Sequence, residues 1–346
     1  LKQPVGVAGC ISPWNLPLYL LTWKIAPAIA AGNTVVAKPS EITPYTAYLL
    51  SKICVDINFP KGVINIVHGY GATAGAEIVE KSDIISFTGG TETGKIIAST
   101  AAKSFKKYSL ELGGKNPTLV FADCDFDLAV NNAVKSAFLN QGQICLCGSR
   151  IFVEKTIYAD FLSAFLEKTK QLVVGDPKNK KSNLGSIVSE EHLNKIISKI
   201  NQAKEDGGKV LTGGERVFLN NDLKNGYYLS PTIITHTKNT DKINQEEVFG
   251  PVATIMPFKN EEEAINLCNN TKYGLAASVF TNNVSRSHRV ASKIDAGVIW
   301  INTWLLRDLR IPFGGMKQSG FGREGGYYSL DFFTETKNIC VKIEKD

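Results

Sequence analysis

Several short stretches carry residues able to do covalent or anion-binding chemistry. In QGQICLCGSR, Cys145 and Cys147 lie two apart, in a turn-rich segment between a helical pattern and a strand pattern. A thiolate is a good nucleophile, and a loop flanked by Gly142 and Gly148 can leave a thiol reachable. Six other cysteines compete with Cys145 for that role (Cys10, Cys54, Cys124, Cys147, Cys268 and Cys340). Most free cysteines are small buried hydrophobes, so residue type alone does not choose among them. Glu111 follows KKYSL and precedes Gly113-Gly114. It reads either as a surface partner of Lys106 or Lys107 or, given the glycines, as a site of close backbone approach. The turn FTGGTETG follows a strand pattern and opens a helix, where free N–H groups and the helix dipole favour a phosphate at Gly89 and Gly90. It has neither the GxGxxG spacing nor the Gly-Lys-Ser/Thr close of a Walker loop, so alone it reads as turn chemistry. Arg307 and Arg310 flank Asp308 in INTWLLRDLRIPFGG, suited to grip a carboxylate or to brace the loop as an Arg-Asp-Arg network.

Composition narrows the setting for this chemistry. With 346 residues, 43% of them apolar and 21% charged, the chain excludes disorder, collagen and a small disulfide scaffold. The balance of 39 Lys and Arg against 33 Asp and Glu gives a net charge of +6, scattered along the chain. Its one dense basic stretch, Lys178 to Lys181, reads as a solvated loop, which argues against a nucleic-acid partner. An odd set of cysteines without framework spacing points to a reducing compartment, and a cytoplasmic location is expected. The four histidines (His68, His192, His236, His288) are far apart in sequence and no metal site is expected. Pro17, Lys24 and Pro27 interrupt the longest apolar stretch, Leu16 to Gly32, which is shorter than the ~20 residues of a membrane span. The sequons at Asn269 and Asn283 would matter only in a secreted chain.

The elements that must position these residues alternate. Val5–Ile11, Thr34–Ala37, Val63–Val67 and Ile84–Phe87 are β-branched runs, with helical patterns between them such as Leu20–Ala31 and Pro44–Val55. Such a βαβα succession predicts a parallel sheet with helices on both faces. After Gly113-Gly114 a second α/β pattern starts, with strands at Pro117–Phe121, Ile151–Val153, Lys209–Leu211, Thr232–Thr235, Thr254–Pro257 and Gly297–Asn302. Its helices are expected near Asp127–Phe138, Ala159–Val173, Glu190–Glu205 and Glu261–Asn269. The last segment, Thr334 to Ile343, is an isolated strand pattern that needs a host sheet, such as one in another subunit. The opening at Leu1 rather than Met, straight into a strand pattern, gives the expectation of an N-terminal truncation.

Taken in order, SPWNLP, VVAKPSE, LELGGKNP, GQICLC, EEVFGP and PFGGMKQSG resemble the aldehyde dehydrogenase superfamily. The resemblance runs from Pro4 to the C-terminal strand. It implies an α/β fold with a Rossmann-like, N-terminally incomplete NAD-binding domain at 1–113, an α/β catalytic domain at 114–325, and a tail at 326–346 with an oligomerisation strand. It also implies oxidation of a small-molecule aldehyde by a homo-oligomer, a dimer or tetramer, without a membrane partner.

Roles follow position by position. Cys145 is expected to be the nucleophile and Glu111 the base that activates water, with the Asn15 amide and the Cys145 backbone N–H holding the oxyanion. Asn15 also reads as an Asx turn or a helix N-cap ahead of Leu18. For NAD, Lys38 and Glu41 match the adenosine-ribose pair, Trp14 and Gly90 lie along the pyrophosphate beside Gly89, and Glu247 and Phe249 place the nicotinamide ribose and ring. A carboxylate at Glu41 would repel a 2′-phosphate, favouring NAD over NADP, although Lys38 tempers this. Gly90 stands where many relatives carry Ser, so phosphate binding would lean on backbone N–H groups. The Arg307 and Arg310 segment resembles that of 2-aminomuconic and 2-hydroxymuconic semialdehyde dehydrogenases, making an acidic semialdehyde the expected substrate. Other aldehydes, betaine aldehyde among them, and a nonenzymatic remnant are the alternatives.

Overall fold

The β-branched runs of the N-terminal third form strands that alternate with helices, as shown by the computed structural model, which describes residues 1–343. In chain order come β1 (Lys2–Pro4), β2 (Val7–Ile11), α1 (Pro17–Ala30), β3 (Thr34–Lys38), α2 (Tyr45–Asp56), β4 (Ile64–Ile66), α3 (Ala76–Lys81), β5 (Ile84–Thr88), α4 (Thr91–Ala102) and β6 (Lys107–Glu111). Five of these strands lie parallel in the order β6-β5-β2-β3-β4. Side chains alternate across a strand, and the core divides accordingly. Ala8, Cys10, Val35, Ala37 and Ile84 pack with Leu21, Ile25 and Ala28 of α1. Ile11, Ile85 and Phe87 pack instead with Ile78, Val79 and Ile97 of α3 and α4. Burial on both faces is why the strands read as near-continuous apolar runs.

The second stretch contains β7 (Pro117–Val120), α5 (Phe126–Phe138), β8 (Arg150–Glu154), α6 (Tyr158–Lys170), α7 (Glu190–Glu205), β9 (Lys209–Thr212), β10 (Arg216–Val217), β11 (Tyr228–Leu229), β12 (Thr232–Thr235), α8 (Lys242–Gln245), β13 (Val252–Phe258), α9 (Glu261–Asn269), β14 (Tyr273–Gly274), β15 (Ala276–Phe280), α10 (Val284–Ala291) and β16 (Val298–Ile301). Seven strands form one sheet in the order β16-β15-β7-β8-β13-β12-β9, parallel except for β9. Side-chain N-caps start four helices: Asp125 accepts from the Leu128 N–H, Ser189 from His192, Asn260 from Glu263 and Asn283 from Arg286.

Compactness groups Gly113–Arg307 with Gly315–Ser319 in one unit, and Leu1–Leu112 with Asp308–Gly314 and the chain from Gly320 in the other. The catalytic domain that the resemblance implies at 114–325 is one uninterrupted stretch, whereas the compact unit here leaves out Asp308–Gly314 and the chain from Gly320. In the second unit β17 (Met316–Lys317) pairs with β14. In the first, β18 (Gly320–Phe321) adds antiparallel to β6, α11 (Gly326–Phe332) follows, and β19 (Thr334–Thr336) pairs antiparallel with β1. The expected strand at Thr334–Ile343 is therefore shorter, and its partner is a strand of the same chain. Positions 344–346 of the expected tail lie outside the described residues. Among the described residues, no helix is long and apolar enough to cross a membrane, and no group of three His, Cys, Asp or Glu side chains is arranged to hold a metal ion.

A buried ion pair ties the returning segment into the first unit. Lys24 of α1 donates to Glu324 at 2.7 Å and to the Ser86 hydroxyl at 3.1 Å, while the Trp23 indole donates to the other Glu324 oxygen at 2.6 Å. The Glu324 backbone exchanges two 2.7 Å hydrogen bonds with Phe313. Removing one partner of such a pair strands the other charge in low dielectric, whereas replacing both with apolar groups does not. Glu324→Ala should lose roughly 3–5 kcal/mol in a urea titration, and the double change Lys24→Met with Glu324→Leu should recover most of it. A single variant as stable as the wild type would contradict this account.

Candidate active site

In the first unit, the C-terminal ends of β2, β3 and β5 open onto a cavity of about 950 Å³. Trp14, Lys38, Glu41, Gly89 and Gly90, all singled out from sequence, line it together. This is where ligands sit on open parallel sheets, outside the carboxyl ends of the strands. Lys38 is buried and its ammonium donates to the Pro39 carbonyl at 2.9 Å and to Glu41 at 3.2 Å. Burial works against the Glu41 carboxylate, but a backbone hydrogen bond and Lys38 outweigh it and hold its carboxyl below the ordinary value. Gly90 is the N-cap of α4 and makes no side-chain cap. A Cβ at Gly89 would run into the Phe87 ring, whereas one at Gly90 would meet nothing within 4 Å. Sequence reasoning missed Ser12 and Thr88, whose buried hydroxyls line the same cavity and have no hydrogen-bond partner among the described residues. Orphaned hydroxyls beside a helix N-terminus suit a ligand rich in phosphate and hydroxyl groups, as a dinucleotide is.

Glu111 is the last residue of β6 and is buried. It lies opposite Thr88 on β5 and Gly320 on β18, and its carbonyl accepts from the Gly89 N–H at 3.0 Å. The surface-partner reading is removed, because Lys106 donates to the Val79 carbonyl and Lys107 pairs with Glu335 at 3.1 Å. The carboxylate faces Gly314, where a Cβ would stand 2.9 Å from Oε1. Asn15 is partly exposed in the bend before α1, and Leu16, not Asn15, is the N-cap.

In the second unit, α5 ends in a turn where Asn140 and Gln141 adopt φ of 52° and 57°, followed by Gly142 at 67°. Side chains are rare in this left-handed region, and a Cβ on Gly142 would collide with the Gly250 carbonyl, so glycine is required there. The turn delivers Cys145, which is partly exposed between buried Ile144 and Leu146. Burial pushes the thiols of Cys10, Cys147 and Cys268 up to about 12, and that of Cys124 to about 11, making them poor nucleophiles. The backbone around Cys145 is gripped from outside. Asn116 donates to the Cys145 carbonyl at 2.7 Å and to that of Cys147 at 3.0 Å, and the Trp304 indole donates to the Leu146 carbonyl at 2.9 Å.

Glu247 and Phe249 occupy one loop after α8. The Glu247 carboxylate accepts from the Gly114 N–H at 3.0 Å and crowds Gly113 so closely that a Cβ there would clash. Helix α7 pins the loop through one face: Lys199 donates to Glu246 at 2.8 Å and to the Glu247 carbonyl at 3.1 Å, and His192 bonds the Phe249 carbonyl at 2.8 Å. Phe249 itself sits at φ 57°. Glu247 keeps some solvent exposure, yet burial of its carboxyl pushes the pKa up to about 7 against the pull of Gly114, Lys115 and Lys199. Lys115, unassigned from sequence, is buried, and burial with Arg150 and Lys199 nearby lowers it to about 7. Arg307 is partly exposed in this unit. Arg310, in the first unit, is exposed and turned back onto Asp308 with bonds of 2.9 and 3.1 Å.

Residues 1–339 match the aldehyde dehydrogenase family. The chain belongs to that family. It is 51% identical to 2-aminomuconic semialdehyde dehydrogenase of Danio rerio and 49% identical to 2-hydroxymuconic semialdehyde dehydrogenase of Pseudomonas putida, covering in each case 99% of this chain and 71% of the relative. Among solved structures it resembles betaine aldehyde dehydrogenase of Staphylococcus aureus in complex with NAD+, with a TM-score of 0.95 and 43% identity over 97% of this chain and 67% of that one.

The two shifted groups give this aldehyde dehydrogenase a pH signature. Between about 4.5 and 7 the folded state keeps a proton on Glu247 that the unfolded state has lost, so Glu247 lowers stability as pH rises through that window. Between about 7 and 10.5 the unfolded state holds a proton that Lys115 has lost, so stability rises with pH. Denaturant titrations across pH should show Glu247→Gln flattening the acid limb and Lys115→Met the alkaline limb, each relative to the wild type. Unchanged pH profiles in both variants would contradict these assignments.

Proposed function

We propose that this aldehyde dehydrogenase oxidises an acidic semialdehyde of the 2-aminomuconate or 2-hydroxymuconate type to the corresponding acid, with NAD as oxidant and Cys145 as nucleophile. The observation that carries the reading is the held loop: Cys145 is partly exposed on a segment whose carbonyls Asn116 and Trp304 grip, while Cys10, Cys147 and Cys268 are buried with raised pKa, and two other accessible thiols, Cys54 on α2 and Cys340 after β19, lie outside all six of the family-like stretches. NAD, when bound, supplies the hydride acceptor. Trp14, Lys38, Glu41, Gly89 and Gly90 hold it, with Ser12 and Thr88 supplying the hydroxyls the cavity leaves unpaired; Glu247 and Phe249 act on its nicotinamide end.

Cys145 Sγ attacks the aldehyde carbon, forming a C–S bond and placing the carbonyl electron pair on oxygen. The Cys145 N–H and the Asn15 amide donate to that oxyanion. Loss of hydride from the same carbon leaves a thioester on Cys145. Glu111 then takes a proton from water, the hydroxide attacks the thioester, and the acid departs as the thiolate returns. Arg307 pairs with the substrate carboxylate. Arg310, the other arginine of this segment, is exposed and its guanidinium is held by Asp308. The 51% and 49% identities to semialdehyde dehydrogenases favour an acidic substrate. The 43% identity to a betaine aldehyde dehydrogenase keeps a non-acidic aldehyde as the second reading.

Steady-state NADH formation tests both parts. Cys145→Ala should abolish turnover, and wild-type rates in that variant would defeat the mechanism. Arg307→Ala should raise KM for 2-hydroxymuconate semialdehyde by roughly ten- to a hundredfold, as expected for one charge-assisted pair, while barely changing KM for propanal; equal effects on both would remove the anion-recognition role. Because nothing lies within 4 Å of a Cβ at Gly90, Gly90→Ser should fit and tighten NAD+ binding by roughly three- to tenfold, the worth of one hydrogen bond. Calorimetric titration would read it, and weaker binding would contradict the cavity assignment.

A further inference from the structure

Three consecutive carbonyls, those of Cys145, Leu146 and Cys147, are each held by a side chain from elsewhere in the second unit. Two of the three go to one amide, Asn116, which is buried and whose Oδ1 is fixed in turn by the Ala276 N–H of β15 at 3.0 Å. Gly114 closes on the same spot: a Cβ there would lie 2.7 Å from Asn116 Oδ1 and 2.8 Å from the Cys145 carbonyl. The remaining carbonyl goes to Trp304, which is buried and carried on a turn that is itself over-determined. Asn302 and Leu305, on either side of it, have φ of 54° and 64°. Asn302 bonds both the N–H and the carbonyl of Thr281 at 2.9 Å, and the Trp300 indole donates to the Leu306 carbonyl at 2.8 Å. Non-glycine residues persist in that region only when their surroundings enforce it. Arg307 is the next residue after this turn.

We propose that Asn116 and Trp304 are positioning residues for the nucleophile: together they fix successive peptide planes after Cys145, and Trp304 links that loop to the turn that leads into Arg307. The inference rests on the reading of Cys145 as nucleophile. Neither residue touches substrate or cofactor in this account. Their contribution is to hold the thiol and the Cys145 N–H in one orientation, so that C–S bond formation costs no loop ordering at the moment of reaction.

The test uses single-turnover NADH formation with NAD+ and succinic semialdehyde, beside iodoacetamide alkylation of Cys145 as a function of pH and the NAD+-dependent rise in melting temperature. Trp304→Phe keeps a ring and removes the indole donor; Asn116→Asp keeps the acceptor for Ala276 and removes the donor to Cys145 and Cys147. Trp304→Phe should slow the single turnover by about tenfold, the cost of one lost hydrogen bond felt in the transition state, and Asn116→Asp, which loses two, by at least as much. KM for the aldehyde and the NAD+-dependent melting shift should stay at wild-type values, and the alkylation profile against pH should change. Wild-type single-turnover rates in either variant, or a loss confined to KM, would overturn the proposal. If Cys145→Ala still forms NADH in the same assay, the nucleophile reading fails independently of the variants. If Asn116→Asp does not fold, Trp304→Phe decides alone, and the reverse holds equally.

Discussion

The carbonyl of Cys145 accepts a 2.7 Å hydrogen bond from the buried Asn116 amide, and much of the second unit is arranged so that this bond can form. Asn116 stands at the entrance to β7, its backbone carbonyl accepting from the Arg150 N–H and its Oδ1 from Ala276. Arg150 is fully buried without a carboxylate; its guanidinium spends its donors on the Lys115, Leu267 and Cys268 carbonyls and on Asn239. That network holds the ends of β7 and β8 and the C-terminus of α9 at once. For Cys145 as the proposed nucleophile, a flexible loop would have to be ordered at each turnover, whereas these bonds order it when the chain folds.

The stretch LELGGKNP concentrates these constraints. Glu111 closes β6 and its carbonyl accepts from the Gly89 N–H, so the carboxylate-bearing strand end and the glycine turn share a backbone hydrogen bond in the first unit. Gly113 and Gly114 accommodate the Glu247 carboxylate in the second, and Asn116 grips the Cys145 loop. An added Cβ would lie within 3 Å of the Glu247 carboxylate at Gly113, and within 3 Å of the Asn116 amide and the Cys145 carbonyl at Gly114. Lys115 adds a buried cation that draws Glu247 toward its ionised form.

The succession of apolar runs showed the parallel sheets, because strands covered on both faces carry apolar residues at nearly every position. It did not show β6, whose sequence KYSLE lacks such a run, nor α10, whose VSRSHRVA has little apolar content and depends on the Asn283 cap and the burial of Ser287 and Val290. The cavity at the ends of β2, β3 and β5 was legible where Gly, Lys and Glu mark it and silent at Ser12 and Thr88, whose hydroxyls gain meaning only from where the strands end. Nothing local marked Asn116 or Trp304 as a partner of the Cys145 loop. Their partners lie 29 and 158 positions away, and contacts of that span are set by topology rather than by any pattern within a window of sequence.

The most direct measurement is to trap the covalent intermediate and locate it. Glu111→Gln, incubated with NAD+ and succinic semialdehyde, quenched in acid and digested, should yield an acyl adduct on the peptide spanning Ile144 to Arg150, with fragment ions assigning the mass to Cys145 and not to Cys147. An adduct on any other cysteine, or none while NADH accumulates, would contradict the account.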